Sequence, residues 1–217
     1  MAHAVIIGAT GLVGNCLTHL CNESPFFDRV TAFSRRPITG ISSEGFNNVI
    51  IEDFESLESS HVPDLSEDTF GFCCLGTTQK KAGSKEKFEM VDYQYVLRFS
   101  KICKSISAKH LSIVSSLGAS THSLSYYCRV KGRMEREVEK LDLNSTSIVR
   151  PSLLLGDREE SRPAEDIGKL LAPLIIGPWK PIEGFSVAKA MLSIAIEAKP
   201  GFHVYPSRDL HLIADGT

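Results

Sequence analysis

Short, uninterrupted apolar runs alternate along the chain with longer segments in which apolar residues recur at helical spacing. Ala4-Val5-Ile6-Ile7 is such a run, ended by Gly8 and followed over 12–21 by helical periodicity, so the pattern predicts strand, turn and helix. Further strands are predicted at 30–33, 48–51, 69–75, 111–114 and 146–150, the last closed by Pro151. Long helices are predicted at 84–106 and 126–141. None of these strands is joined to the next by a hairpin-sized turn, so the pairing is parallel through right-handed crossovers. The expected class is α/β, a doubly wound parallel sheet. Beyond Pro151 the pattern changes to a polar loop at 156–163 and helices at 164–176 and 186–198. Residues 1–217 are expected to form a single domain, with 152–217 contributing a small cap at the carboxyl ends of the strands.

Composition narrows the class further. The chain has 217 residues, 42% hydrophobic and 23% charged, which fits one globular core and excludes collagen-like, low-complexity and disordered chains. Lys plus Arg is 24 and Asp plus Glu is 26, so a net charge of −2 provides no global field for nucleic acid or anionic membrane. No apolar run approaches the about eighteen residues that a membrane span needs. The first residues lack a basic flank and run straight into the first strand, unlike a signal peptide, so a cytoplasmic location is expected. Six cysteines without zinc spacing read as reduced, partly buried thiols, and seven scattered histidines form no ligand pair, so no metal is expected. Monomer and homodimer both remain open.

Candidate chemistry begins in the first turn. Gly8-Ala9-Thr10-Gly11-Leu12-Val13-Gly14 places three glycines three apart between a strand and a helix. Gly8 suits the tight turn, Gly11 a close approach of backbone to a pyrophosphate, and Gly14 the packing of helix on strand. At the end of the second strand, where NAD specificity would place an acidic residue, stand Arg35 and Arg36, which suit a 2′-phosphate and so NADPH or NADP. Asp53, beyond the third strand, is a candidate acceptor for an adenine amino group. Leu75 and Gly76 follow the fourth strand, where the cofactor would pass.

Tyr127 and Lys131 lie four apart on a helix, so they share a face, and an ammonium there favours phenolate and tunes the tyrosine as a proton carrier. Ser115, at the end of the fifth strand, is placed to hydrogen-bond the substrate oxygen that Tyr127 would protonate. The basic stretch at Lys80-Lys81, Lys85 and Lys87 is interrupted by Glu86 and Glu89 and reads as a solvated loop.

Together, Gly8 to Gly14, Ser115, Tyr127 and Lys131 resemble the short-chain dehydrogenase/reductase superfamily, whose fold is an NAD(P)-binding Rossmann domain. More narrowly, Gly71-Phe72-Cys73-Cys74-Leu75-Gly76-Thr77-Thr78, Lys81-Ala82-Gly83, Val91-Asp92, Tyr95-Val96-Leu97 and Arg150-Pro151 resemble the Tat-interacting-protein family of atypical reductases, as do Asp157-Arg158 and the string from Glu160 to Pro163. That resemblance implies NADPH contacts for Thr10, Leu12, Val13, Arg35, Arg36, Leu75 and Gly76, with Leu154 and Arg162 as further contacts. It also implies Tyr127 as proton donor or acceptor and Lys131 as its partner, binding the nicotinamide ribose. The expected activity is NADPH-dependent reduction of a small-molecule carbonyl substrate. A cofactor-sensing protein without turnover would use the same binding residues. A nucleotide-sugar epimerase would use the same tyrosine and lysine but hold NAD, against which the two arginines argue.

Overall fold

The computed structural model describes residues 2–62, 68–156, 177 and 179–216. The first strand, β1 (Ala2–Ile7), is buried along its whole length and leads through the glycine turn into α1 (Leu12–Glu23). Then come β2 (Arg29–Ser34), β3 (Phe46–Ile50), two single 3-10 turns (Phe54–Ser56 and Ser59–His61) and β4 (Asp68–Cys73). Two short helices, α2 (Gln79–Ala82) and α3 (Lys85–Glu89), precede a π-helical turn (Met90–Tyr95) that runs into α4 (Val96–Ser105). After β5 (His110–Val114), α5 (Tyr126–Glu139) and β6 (Ser145–Arg150), the chain makes the short β7 (Leu154–Leu155) and β8 (Ile182–Glu183). It ends in α6 (Gly184–Glu197), β9 (Gly201–Pro206) and α7 (Ser207–Gly216).

Seven strands form one sheet in the order β3-β2-β1-β4-β5-β6-β9, all pairs parallel, while β7 and β8 pair separately. This is the doubly wound Rossmann-like order, reversing direction between β1 and β4. Helices cover both faces, so the central strands are apolar on both sides and read as continuous runs rather than alternating ones. Ala4 and Ile6 of β1 face a core shared with Leu17 of α1 and Val187 and Met191 of α6. Val5 and Ile7 face the other core, with Phe99 of α4 and Met134 of α5. On the first face Phe26, Phe27, Phe70 and Phe72 pack edge to face at centroid distances of 5.0 to 6.1 Å.

Of the tail, α6 packs on α1 and β9 extends the sheet beside β6. The expected loop over 157–163 and helix over 164–176 lie outside the described residues. β9 carries no alternating apolar pattern; its residues are exposed or half-buried, with Phe202 packed on one core and Tyr205 on the other. The expected helix over 84–106 is continuous in space but loosens to π geometry at Met90–Tyr95.

A buried polar chain crosses β5 and β6. His110 Nδ1 lies 2.7 Å from Ser145 Oγ and its Nε2 3.0 Å from Ser147 Oγ, which is itself 2.9 Å from Ser112 Oγ. Ser145 gives its own proton to the Lys199 carbonyl, 2.7 Å away, so Nδ1 carries the ring hydrogen and Nε2 accepts. Burial keeps the ring neutral and pushes its pKa down to about 4, with His203 acting in the same direction. The unfolded chain protonates this histidine near its ordinary value, well above the pH at which the folded chain does. Stability therefore falls as the pH drops between those two values. From pH 7 to pH 4.5 the wild type is expected to lose roughly 2 kcal/mol more than a His110→Gln variant. Urea denaturation at the two pH values measures this, and parallel losses in both proteins would refute it.

Candidate functional site

The glycine turn is shaped by backbone clearance. Gly8 has φ +77°, and a Cβ there would lie 2.5 Å from the backbone of Cys74 at the end of β4. A Cβ on Gly14 would lie 2.1 Å from the Gly8 carbonyl oxygen, so α1 can leave the sheet at this angle only with glycine at that position. α1 begins at Leu12 with no side-chain cap and no acidic residue in its first turn. Thr10 and Gly11 are exposed beside the helix-terminal N–H groups, and a Cβ on Gly11 would lie 3.3 Å from the Gly8 carbonyl oxygen. An uncapped helix N-terminus with backbone donors facing outward suits an anion such as a pyrophosphate. The Val13 side chain is buried in the core, and that of Leu12 is boxed between Gly156 and Gly184, either of whose added Cβ would come within 2.6 Å of it. Only the backbone of these two residues is available to a phosphate.

Arg35 and Arg36 are exposed where β2 ends, at the same edge of the sheet. Their turn is pinned from below. Ser34 Oγ donates to the Arg36 carbonyl at 2.7 Å, while Asn48 Nδ2 donates to Ser34 Oγ at 2.8 Å and Asn48 Oδ1 accepts from Ile38 N at 2.8 Å. Asp53 caps the first 3-10 turn, accepting from Glu55 N at 2.9 Å and from the Tyr95 hydroxyl, and the Tyr95 bond above all holds its carboxyl below the usual range. Both bonds fall on Oδ1. Leu75 and Gly76 lie just past β4, and Leu154 sits in β7. Arg162 lies outside the described residues.

Tyr127 and Lys131 come together on one face of α5. The Tyr127 ring packs on Phe88, centroids 5.6 Å apart. The helix is capped by Ser125, and the loop before it is fastened by Arg129, whose Nη1 donates to the carbonyls of Ser123 at 2.8 Å and Leu124 at 2.7 Å. Lys131 is only 2% exposed. Its Nζ lies 3.0 Å from Oδ1 of Asp92, which is 0% exposed, and donates to the Val114 carbonyl at 3.3 Å. Asp92 Oδ2 accepts from the Thr77 N–H at 2.8 Å. Burial disfavours the Lys131 ammonium, but the Asp92 carboxylate beside it, assisted by Tyr127, prevails and raises its pKa above the ordinary lysine value. Sequence reasoning did not assign Asp92 to the site, although Val91-Asp92 is among the strings that carry the family resemblance.

Ser115 is used otherwise than expected. It is buried, and its hydroxyl donates to Glu135 Oε1, one turn beyond Lys131 on α5. Glu135 is clamped in turn by Arg150, through Nε at 3.0 Å and through Nη2. An ionised carboxylate can only accept, so the Ser115 proton is committed to Glu135 and what Ser115 has left is a lone pair. Ser116 donates only weakly, to the Leu117 carbonyl at 3.3 Å.

The six cysteines are free thiols. Burial pushes Cys73 up to about 12 and raises Cys21 and Cys103 as well, which makes these three poor nucleophiles. Among the described residues no helix is long and apolar enough to cross a membrane. A groove of about 670 Å³ lies away from the glycine turn, between the 3-10 turns and α4, lined by Leu57, Tyr93, Tyr95, Arg98 and Lys101 among others.

The HIM1 family model matches residues 40–170. Protein HTATIP2 of Rattus norvegicus is 36% identical over 201 residues, 90% of this chain and 82% of that protein. Protein FMP52, mitochondrial, of Debaryomyces hansenii is 33% identical over 205 residues, 89% of this chain and 88% of that protein. Among solved structures, a short-chain dehydrogenase/reductase of Saccharomyces cerevisiae, YIR035C, superposes with TM-score 0.72 at 12% identity, over 98% of this chain and 99% of that one. MoeE5 in complex with UDP-glucose and NAD superposes with TM-score 0.72 at 15% identity, over 99% of this chain and 82% of that one. These two likenesses are of fold. The expected cytoplasmic location is overturned: relatives in Debaryomyces hansenii, Candida albicans, Scheffersomyces stipitis and Emericella nidulans are named mitochondrial.

Because Lys131 and Asp92 are buried together, removing one strands the other. Lys131→Met is expected to cost roughly 3 kcal/mol of stability, and Asp92→Asn combined with Lys131→Met to restore most of it, since the pair then leaves no uncompensated charge. Urea denaturation of these two variants and the wild type measures this, and a double variant no more stable than Lys131→Met would refute it.

Proposed function

From the premise that this chain belongs to the HIM1 family, we propose that it is an NADPH-dependent oxidoreductase that reduces a small carbonyl compound. The observation that carries this reading is that Lys131, one turn from Tyr127 on α5, is tied through Asp92 to the loop after β4, at the sheet edge that also bears the uncapped glycine turn. Relatives named mitochondrial favour a mitochondrial location for it.

The backbone of Thr10 to Val13 would hold the pyrophosphate and Arg35 with Arg36 the 2′-phosphate, a division of labour that follows from helix-terminal donors and planar guanidinium forks. Asp53, Leu75, Gly76, Leu154 and Arg162 complete the proposed binding set. A bound reduced nicotinamide supplies hydride. Tyr127 gives the proton to the carbonyl oxygen, while Lys131 holds its neighbourhood in place and binds the nicotinamide ribose. The commitment of Ser115 to Glu135 leaves Tyr127 as the donor at that oxygen. The same commitment favours a second reading, a cofactor sensor without turnover, because it removes one of the two donors expected at a carbonyl.

Thermal unfolding with NADPH, NADP, NADH and NAD separates the cofactors, since a ligand that binds only the folded chain raises its midpoint. NADPH and NADP are expected to raise it more than NADH and NAD do, and replacing Arg35 and Arg36 by alanine to weaken NADPH binding by roughly 10-fold or more, with little change for NADH. No shift with any of the four would sink the reading. Tyr127→Phe is expected to lower turnover by about 100-fold or more while NADPH affinity stays within a few-fold. Undiminished turnover in that variant would remove Tyr127 from the mechanism, and absence of turnover in the wild type across carbonyl substrates would leave the sensor.

A further inference from the structure

Asp92 belongs neither to the loop after β4 nor to the helix that bears Tyr127 and Lys131, yet its two oxygens join the two regions. Oδ1 meets the Lys131 ammonium at 3.0 Å and Oδ2 takes the Thr77 N–H at 2.8 Å. It stands on the π-helical turn Met90–Tyr95, a local geometry that costs hydrogen-bond quality and recurs where a side chain must be placed for function. Gly76 packs beside it: a Cβ there would sit 3.5 Å from Asp92 Oδ1 and 3.9 Å from Lys131 Nζ.

We propose that Asp92 is a positioning residue that neutralises Lys131, so that the Tyr127–Lys131 pair rests with its phenol protonated, ready to give a proton to a carbonyl oxygen rather than to take one from an alcohol. The proposal rests on the oxidoreductase reading for its direction of reaction and on geometry for its charge balance. Other titratable groups packed about the pair are already engaged or uncharged. Cys73 of β4 is a buried thiol kept neutral. Glu89 of α3 accepts from the Tyr126 hydroxyl at 2.9 Å and from Arg133 at 3.0 Å. Lys85 lies over the Tyr126 ring at 5.2 Å, and Glu135 of α5 is clamped by Arg150.

With Asp92 ionised and Lys131 charged, the cluster is electroneutral while Tyr127 keeps its proton. Ionising the half-buried phenol would then leave a net negative charge on the cluster, whereas without Asp92 it would cancel the ammonium. Reduction does not need that ionisation beforehand. A carbonyl oxygen that gains hydride becomes an alkoxide, a far stronger base than a phenolate, so the Tyr127 O–H breaks, the product O–H forms, and the phenolate regains its proton from water. Oxidation of an alcohol runs the other way and requires the phenolate first. Compensation of Lys131 by Asp92 therefore favours the reductive direction near neutral pH.

The test is a pH titration, followed by NMR, of cofactor-free protein isotopically labelled at tyrosine Cζ and lysine Cε, with the Tyr127 signal assigned through Tyr127→Phe. In Asp92→Asn the cluster carries an extra positive charge, so the Tyr127–Lys131 pair is expected to lose its first proton at a pH lower by about one unit or more than in the wild type. Asp92→Glu, which keeps the carboxylate, is expected to return that step toward the wild-type pH. The electroneutral double variant Asp92→Asn with Lys131→Met guards against a misfolded single variant, and in it the Tyr127 signal is expected to titrate close to the wild-type pH. An unchanged first step in Asp92→Asn overturns the proposal, as does a double variant in which Tyr127 titrates about one unit or more higher than in the wild type, the mark of an ammonium that Asp92 had not offset. If the titrations behave as expected while NADPH fails to raise the melting midpoint of the wild type, the charge compensation is upheld and the oxidoreductase reading alone is lost.

Discussion

An ammonium that is 2% exposed must find inside the protein what water would have given it, and Lys131 dictates much of the architecture around it. Its partners come from three directions: Asp92 from the π turn, the Val114 carbonyl from the end of β5, and, through Asp92, the Thr77 N–H after β4. An ion pair at this depth gains little net stability over apolar side chains of the same size, because the desolvation of both charges offsets their attraction. Its effect is geometric. Moving any one of the three elements would leave a charge or a backbone donor unpartnered, so the carboxyl ends of β4 and β5 are held in register with α5. The π turn is the local cost. It turns Asp92 inward, while Tyr93 lies under Arg133 and Tyr95 packs against Phe54 at the margin of the core.

The features legible in the sequence were those encoded by local pattern. Apolar runs marked β1, β2, β4, β5 and β6 within a residue or two, because strands buried on both faces leave little room for polar interruption. The glycine turn was legible because the clearances at Gly8 and Gly14 exclude every other residue. The spacing of Tyr127 and Lys131 was legible because a helix converts four positions into one face. What stayed hidden depended on contacts distant in sequence. Asp92 lies 39 positions before the lysine it pairs with, and Glu135 matters through Ser115, 20 residues away, and Arg150, 15 away. Nothing local distinguishes such acids from solvated ones. The edge strand β9 was hidden for another reason: its residues are exposed or half-buried, so polar ones interrupt the apolar run.

Leu12 shows how the tail is tied to the proposed phosphate site. It opens α1, and its side chain fills a slot whose walls are Gly156, after β7, and Gly184, at the start of α6. Any side chain at either glycine would meet Leu12, so the tail can dock only where the first turn of α1 is already formed. The glycine turn is therefore braced from two sides: by the end of β4 against Gly8 and by the tail against Leu12. The backbone donors at the start of α1 are pre-set by this packing, which lowers the ordering cost of binding an anion there.

The two ends of the proposed site place charge in opposite ways. Arg35 and Arg36 are exposed, and the turn that bears them is fixed by neutral hydrogen bonds through Ser34 and Asn48, so their charge is left free to act on an incoming phosphate. In water such charges attract at range but are screened over a Debye length of about 8 Å at physiological salt. Lys131 is the reverse, buried and compensated, with its field confined to the few ångströms between Asp92 and Tyr127. On the proposed reading, selection among dinucleotides would be altered at the arginines without disturbing the charge balance at the tyrosine, because each is fixed by its own hydrogen bonds. In the chain these functions sit on different halves of the sheet, β2 and β3 on one side of the reversal between β1 and β4, and β5 with α5 on the other.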